Sequence, residues 1–314
     1  MSRQRATAFV PGHVTAFFSA HPDDRPAVAG SRGAGVTLTD GVTVTVSELD
    51  ETDSAPVRTI DSTPGTIEPA EDVLAALGFS GGGDGDSSER TECDSMTVTD
   101  GSDVAIAVES DLPIGAGFGV SGAAALGTAL AANEAFDCGC SENELIRIAH
   151  EAEVGRGTGL GDVVAQARGG IPIRLEPGAP GFGELDGIPS QSRVEYVTFG
   201  ELSTEAVLDG DTTALSVAGE QALDRLRSTP RLTTLMAVAR EFAADADLLV
   251  PEVAETIEAV ANAGGEAAMA MLGRTVFALG TGLSDAGYDP VVCHTHPSGA
   301  RLVDGDVSPG SFER

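Results

Sequence analysis

The chain has 314 residues, with 49 acidic side chains against 18 basic ones and a formal charge of −31; every basic residue is Arg. The absence of Lys excludes Schiff-base chemistry and a P-loop with its phosphate-binding Lys, and the charge excludes bulk electrostatic binding of nucleic acid or anionic lipid. The acidic residues are spread through segments rich in Val, Leu, Ile and Ala, the composition of a globular protein working in concentrated salt, where screening over ~3 Å at 1 M relieves self-repulsion.

The opening MSRQRATAFVPGH carries no signal-like apolar run. No stretch approaches the roughly 18 apolar residues of a membrane span, so a cytoplasmic location is expected. Residues 6–10, 35–39 and 42–46 alternate as β-branched strands, and Asp40-Gly41 predicts a hairpin turn between the last two. Residues 70–78 predict a short helix stopped by Gly78. The acidic, Gly-rich residues 81–94 read as a solvated loop, and 104–108 as a strand leading into the Gly-rich DLPIGAGFGVSGAAALG (111–127).

An Ala-rich helix is expected over 121–136. Ser141 and Glu144 form a capping box, and the helix they start carries Leu145, Ile148, Ala149 and Ala152 on one face. Glycines at 155–161 break it, and Gly169-Gly170 precedes a strand over 171–175. The Pro- and Gly-rich 177–183 is the expected domain boundary, dividing the chain into 1–177 and 178–314. A strand at 193–199, helices to about Ala263 with Pro230 and Pro251 at breaks or first turns, and strands at 276–279 and 291–294 follow. The sum is a mixed α+β chain in two halves. The four Cys show no disulfide framework, so reduced thiols are expected. Cys293-His294-Thr295-His296 follows the apolar Val291-Val292 and reads as a strand end rather than a metal site.

Between the strand at 104–108 and the Ala-rich helix stand Gly115, Gly117, Gly119 and Gly122. Such glycines let backbone N–H groups approach a ligand, and the helix N-terminus favours an anion, so this loop is a phosphate candidate. Its bare G-x-G-x-x-G spacing matches a dinucleotide fingerprint, but the flanking Pro113 and Ser121-Gly122-Ala123-Ala124 do not.

Those flanks resemble another family. PIGAGFGVSGAA (113–124) is similar to the phosphate loop of the GHMP kinases (galactokinase, homoserine kinase, mevalonate kinase and phosphomevalonate kinase), P-x-x-x-G-L-G-S-S-A-A, with Phe118 for Leu, Val120 for Ser and Gly122 for Ala. Val10-Pro11-Gly12-His13 resembles the family's A-P-G-K opening, with His13 where many members carry Lys. GLGD (159–162) with Gly169-Gly170 resembles its S-G-x-D…G-G stretch, and AMAMLGRTVF (268–277) occupies the place of a weak third motif. GSRGAG (30–35), HEAE (150–153) and GTGLGDV (157–163) resemble the archaeal branch that phosphorylates pantoate, over a span from Ala8 to about Leu302.

The resemblance implies an α+β, two-domain GHMP kinase fold: an N-terminal ribosomal-S5-like α/β domain and a C-terminal ferredoxin-like α/β domain, with the site between them. It implies ATP-dependent phosphorylation of pantoate to 4-phosphopantoate in coenzyme A biosynthesis, with ATP and Mg²⁺ as cofactors, a homodimer, and neither nucleic acid nor membrane as partner. By the same carry-over Asp162 is the catalytic base or orienting anion. Pro113, Gly115, Gly117, Gly119, Val120, Ser121, Gly122 and Ala123 bind the nucleotide, and Ser121 and Glu153 hold the metal. The spacing from Glu153 to Asp162 is two residues shorter than in mevalonate kinase-like members, which keeps Glu151 as an alternative ligand.

Ser31, His150, Arg174 and Thr204 are the implied pantoate contacts. With no Lys, the cation role beside the catalytic Asp falls to Arg32 or Arg174 or is dispensed with; an inward Arg174 on an apolar strand would need an anion. Two alternatives stay open: a GHMP kinase for another small alcohol (homoserine, mevalonate or a sugar), and an inactive nucleotide-binding regulator.

Overall fold

A computed structural model describes residues 4–49, 57–79, 104–200 and 212–304. The predicted loop at 81–94, Cys93 and Thr204 lie outside the described residues. The first sheet is built on two long strands, β1 (Arg5–His21) and β2 (Gly30–Glu48), paired antiparallel from Arg5↔Ser47 to His21↔Gly30. The runs at 35–39 and 42–46 are both parts of β2, so Asp40-Gly41 is not a hairpin turn. Gly41 sits opposite Pro11 at a register shift between Pro11 and His13, and a Cβ on it would meet the Phe9 ring at 2.7 Å. The glycine serves close strand packing at an irregularity rather than chain reversal.

Short β3 (Arg58–Ile60) and β4 (Thr63–Pro64) precede helix α1 (Glu68–Ala76), which stops beside Gly78 at φ 93° as its sequence predicts. Strand β5 (Val104–Ser110) pairs with the C-terminal part of β2. Helices α2 (Val120–Phe136), α3 (Glu142–Arg156) and α4 (Asp162–Arg168) follow. α2 is apolar nearly all round and buried accordingly. Its Gly127 lets it settle on β2, since a Cβ there would stand 2.6 Å from Val44 Cγ2. Both arms of the α3 capping box form: Glu144 N–H donates to Ser141 Oγ at 3.4 Å, and Ser141 N–H to the Glu144 carboxylate at 2.7 Å.

Strand β6 (Pro172–Glu176) pairs with β2 at Gly33 and Ala34, and β7 (Glu184–Gly187) pairs with β6. The 177–183 loop is thus a turn within the first sheet. A second, antiparallel sheet begins at β8 (Arg193–Thr198). After α5 (Thr213–Ser228), α6 (Leu232–Asp245) and α7 (Pro251–Asn262) come β9 (Ala267–Ala270), β10 (Thr275–Leu279), the short α8 (Gly282–Asp285) and β11 (Val291–His294). The sheet order is β11-β8-β10-β9, and β12 (Arg301–Val303) returns to pair with β1.

One continuous core joins the sheets. Phe242 of α6 packs against Phe17 and Phe18 of β1, and Phe118 against Tyr196 of β8 with ring centroids 4.7 Å apart. Cys138 and Cys293 are free thiols, whereas Cys140 is disulfide-bonded, which corrects the expectation of reduced thiols throughout. That expectation rested on spacing, from which pairing cannot be deduced.

Candidate active site

Between β5 and α2 the chain turns through glycines in the left-handed region. Gly117 (φ 90°) lies where a Cβ would stand 2.9 Å from the Met271 carbonyl, and Gly119 (φ 64°) is the N-cap of α2. The carbonyls of this loop are held by the protein. Thr275 Oγ1 donates to Ala116 O at 2.8 Å, His13 N–H to Phe118 O at 3.0 Å, and Gln166 Nε2 to Gly119 O at 2.9 Å. The opening N–H groups of α2, at Val120, Ser121 and Gly122, have no intrahelical acceptor and carry the positive end of the helix dipole. This arrangement suits a polyphosphate. Pro113, Ile114 and Gly115 form the exposed lip, and Gly122 and Ala123 are buried behind it.

Asp162 is the first residue of α4, with Gly161 as N-cap. The α4 turns are too few to show a periodic face in the sequence. Its carboxylate, 18% exposed, receives His13 Nδ1 at 2.6 Å and the Thr15 hydroxyl at 3.4 Å. Burial raises the Asp162 carboxyl, but the hydrogen bond from His13, the charge of Arg174 and the Thr15 hydroxyl outweigh it and hold it below the ordinary carboxylate range. His13 is fully buried, and burial outweighs Asp162 in lowering its own pKa. The imidazole is therefore neutral at pH 7, donates Nδ1–H to Asp162, and leaves Nε2 without a partner among the described residues. A Cβ on Gly35 would collide with that Nε2.

Arg174 comes in from β6. It is 2% exposed, and its Nε donates to Ser31 Oγ at 3.2 Å. Its Nη1 is buried and has no partner among the described residues. Gly161 is required beside it, because a Cβ there would stand 2.6 Å from both Arg174 Nε and Ser31 Oγ. Arg32, the other Arg candidate, donates to Glu220 at 2.8 Å and to the Leu175 carbonyl at 2.6 Å, and so is already engaged.

Glu153 is buried on α3 and accepts hydrogen bonds from Ser121 and from Thr158 Oγ1, the latter at 3.1 Å. Burial pushes its carboxyl up to about 7, with the Asp162 charge adding to the shift. Glu151 instead pairs with Arg147 on the outer face of α3 at 3.2 Å, so it is not placed to substitute. A buried carboxylate beside a hydroxyl, with no cationic partner among the described residues, is chemically suited to a hard cation. Among the described residues no group of three or more His, Cys, Asp or Glu side chains gathers for a metal, so remaining ligands would have to be phosphate and water oxygens.

His150, one turn before Glu153, is also buried; its Nε2 donates to the Ala29 carbonyl at 2.9 Å, which holds the start of β2 beside Ser31. The structure thus gathers Asp162, Ser121, Glu153, Ser31, His150 and Arg174 around one site. Sequence reasoning missed Thr15 and Gln166, which lie in no motif, and Thr158, which lies in the GTGLGDV segment but was given no role. Cys293 and His294 end β11, and His296 bonds the Ser298 carbonyl and Arg301.

Residues 90–170 match the GHMP kinases N terminal domain. The chain is 37% identical over 284 residues to a pantoate kinase of Thermococcus kodakarensis, spanning 87% of this chain and 86% of that protein. It is 30% identical to one of Methanocaldococcus jannaschii, over 92% and 99%. A solved phosphotransferase related to the coenzyme A biosynthesis pathway superposes with TM-score 0.79 at 30% identity, covering 95% of this chain and 98% of that one. A homoserine kinase from Cytophaga hutchinsonii shares the fold alone, with TM-score 0.64 at 16% identity over 96% and 98%.

Proposed function

Because the chain belongs to the pantoate kinases of the GHMP kinase family, we propose that it transfers the γ-phosphoryl group of ATP to the terminal hydroxyl of pantoate. The products are ADP and 4-phosphopantoate, on the route to coenzyme A. The observation that carries this reading is Arg174: a fully buried guanidinium, short of a partner, within the electrostatic reach of Asp162. Burying an unpaired charge is costly, and a substrate that brings a carboxylate beside the hydroxyl to be phosphorylated removes that cost. A neutral sugar would not.

In this reading Arg174 and Ser31 hold the pantoate carboxylate and secondary hydroxyl, and His150 keeps the Ser31 strand in place. The terminal hydroxyl faces Asp162, whose low pKa suits an orienting anion. Phosphoryl transfer is mainly positioning and charge neutralisation. Asp162 takes the hydroxyl proton as the new O–P bond forms and the bond to the ADP oxygen breaks, and then returns that proton to solvent. The amides of Val120, Ser121 and Gly122 hold the phosphates. Ser121 and Glu153 would hold Mg²⁺, which supplies charge neutralisation on the phosphate oxygens when bound.

We also place the enzyme in the cytoplasm as a homodimer, with neither nucleic acid nor membrane as partner. The charge of −31 argues against nucleic acid and anionic lipid as partners, while the homodimer and the location rest on the family resemblance. The test is a panel of pantoate, homoserine, mevalonate and galactose with ATP and Mg²⁺ in KCl, reading ADP and the phosphorylated product. Preference for pantoate in kcat/KM is expected. A higher value for another alcohol, or no ADP with any of them, overturns the reading.

A further inference from the structure

We infer that Gln166 is a positioning residue that couples the catalytic helix to the nucleotide loop, an inference that rests on the proposed kinase reading. Gln166 lies one helical turn after Asp162 on α4, so both side chains leave the same face. Its side chain is fully buried, which is unusual for an amide without a full set of partners. Nε2 donates to the Gly119 carbonyl at 2.9 Å. That carbonyl is also the first acceptor of α2, taking Ala123 N–H at 3.0 Å. The Gln166 amide therefore grips the peptide from which the phosphate-facing turn of α2 starts.

The fit is close on every side. A Cβ on Gly119 would stand 3.1 Å from Gln166 Nε2 and 3.2 Å from Asp162 Cγ; one on Gly122 would stand 3.3 Å from Gln166 Oε1. Oε1 itself has no partner among the described residues, so the contribution of the amide runs through its donor. The Gln166 backbone is fixed in turn, because its carbonyl accepts Ala300 N–H at 3.0 Å. Asp162 and the opening amides of α2 come from segments about 40 residues apart, and in-line transfer needs them in one geometry. Gln166 sets the distance between them without touching either reactant.

The experiment replaces Gln166 by Leu or Met, which keep the bulk and remove the donor. ATP and ADP dissociation constants are measured by calorimetry, and kcat and both KM values by assay. Losing this buried hydrogen bond, which leaves the Gly119 carbonyl only its Ala123 N–H donor, should weaken ATP and ADP by about tenfold. kcat should fall as well, while the KM for pantoate stays within about twofold of wild type, since Arg174 and Ser31 are untouched. Adenosine, which has no phosphate to place, should bind variant and wild type alike. ATP affinity equal to wild type, or a parallel loss for adenosine and pantoate, overturns the inference. Gln166→Met carries the test if Gln166→Leu does not fold. Nucleotide affinity is read directly, so failure of wild type to phosphorylate pantoate would strike the proposed function and leave the coupling measurement standing.

Discussion

His13 Nδ1 lies 2.6 Å from Asp162 Oδ1, joining residues 149 positions apart at the place where this Lys-free chain has no ammonium to offer. The imidazole is held neutral by burial, so it supplies an oriented hydrogen bond and not a fixed positive charge. The permanent positive charge of the site comes from Arg174. In the proposed reading, hydrogen bond and permanent charge beside Asp162 thus come from two residues on different strands.

Asp162→Asn keeps the shape of the side chain and loses its proton acceptor. It should leave ATP binding unchanged and lower kcat by at least about 10²-fold, the lower end for a general base. Steady-state kinetics with calorimetric ATP binding checks this, and near-normal turnover contradicts it.

His13→Ala removes the strongest influence holding the Asp162 carboxyl down and leaves burial opposed only by the Arg174 charge and the Thr15 hydroxyl. The acid limb of kcat/KM should move to higher pH. The stability linkage has the matching sign. A carboxyl with a lowered folded pKa contributes stability above its unfolded pKa and loses it as pH falls through the folded value. The variant should therefore start to lose activity at a less acidic pH than wild type. An unmoved acid limb shows that His13 does not tune Asp162.

Arg174→Ala should raise the KM for pantoate by an order of magnitude or more, as charged hydrogen bonds are worth roughly 1.5–3 kcal/mol. The KM for ATP should change far less. Arg32→Ala should spare the pantoate KM, because that guanidinium is spent on Glu220 and the Leu175 carbonyl. If Arg32→Ala alone produces the defect, the carboxylate is held there instead.

Glu153 should make Mg²⁺ binding pH-dependent. Its carboxyl rises from an ordinary value near 4.5 to about 7 on folding, so the folded state holds the proton more tightly. The stability it contributes then falls as pH rises between those values. A divalent cation binds the ionised form, so the rise in Tm on adding Mg²⁺ should be larger at pH 8 than at pH 6. Glu153→Gln should abolish that difference, and Glu151→Gln should not.

With a charge of −31, the folded chain should gain Tm and activity as KCl rises from dilute to molar concentration, through screening of self-repulsion. A Tm that is flat over that range rejects the high-salt reading and leaves the kinase chemistry untouched.

Much of the site was legible because its chemistry resides in local runs. The glycines around 115–122, the capping box at Ser141 and the order of the three motifs mark the nucleotide loop, α3 and Asp162 without any knowledge of contacts. Choosing Glu153 over Glu151 needed burial, because both lie on α3 and only the helix's packing decides which faces inward. Helix α4 was illegible because seven residues give too few turns for a period to emerge. Asp40-Gly41 misled because the same dipeptide suits a turn and a tight strand crossing, and only the partner strand distinguishes them. Thr15 and Gln166 act through contacts across the chain, where spacing carries no information, and Thr158 meets Glu153 only because the helix end folds it back.

The grip of Thr275 on the Ala116 carbonyl has a consequence for heredity as much as for chemistry. Gly273 also lies so close that a Cβ on it would collide with Ala116 O. A nucleotide cradle clasped by a turn about 160 residues downstream cannot be lifted out as a module. A gene fragment ending before β8 would carry the phosphate loop, Glu153 and Asp162 but lack the clasp that shapes the loop. Recombination that exchanges only the C-terminal half must bring in a turn of the same close fit. Drift at Gly273 and Thr275 is therefore constrained by residues they meet only after folding.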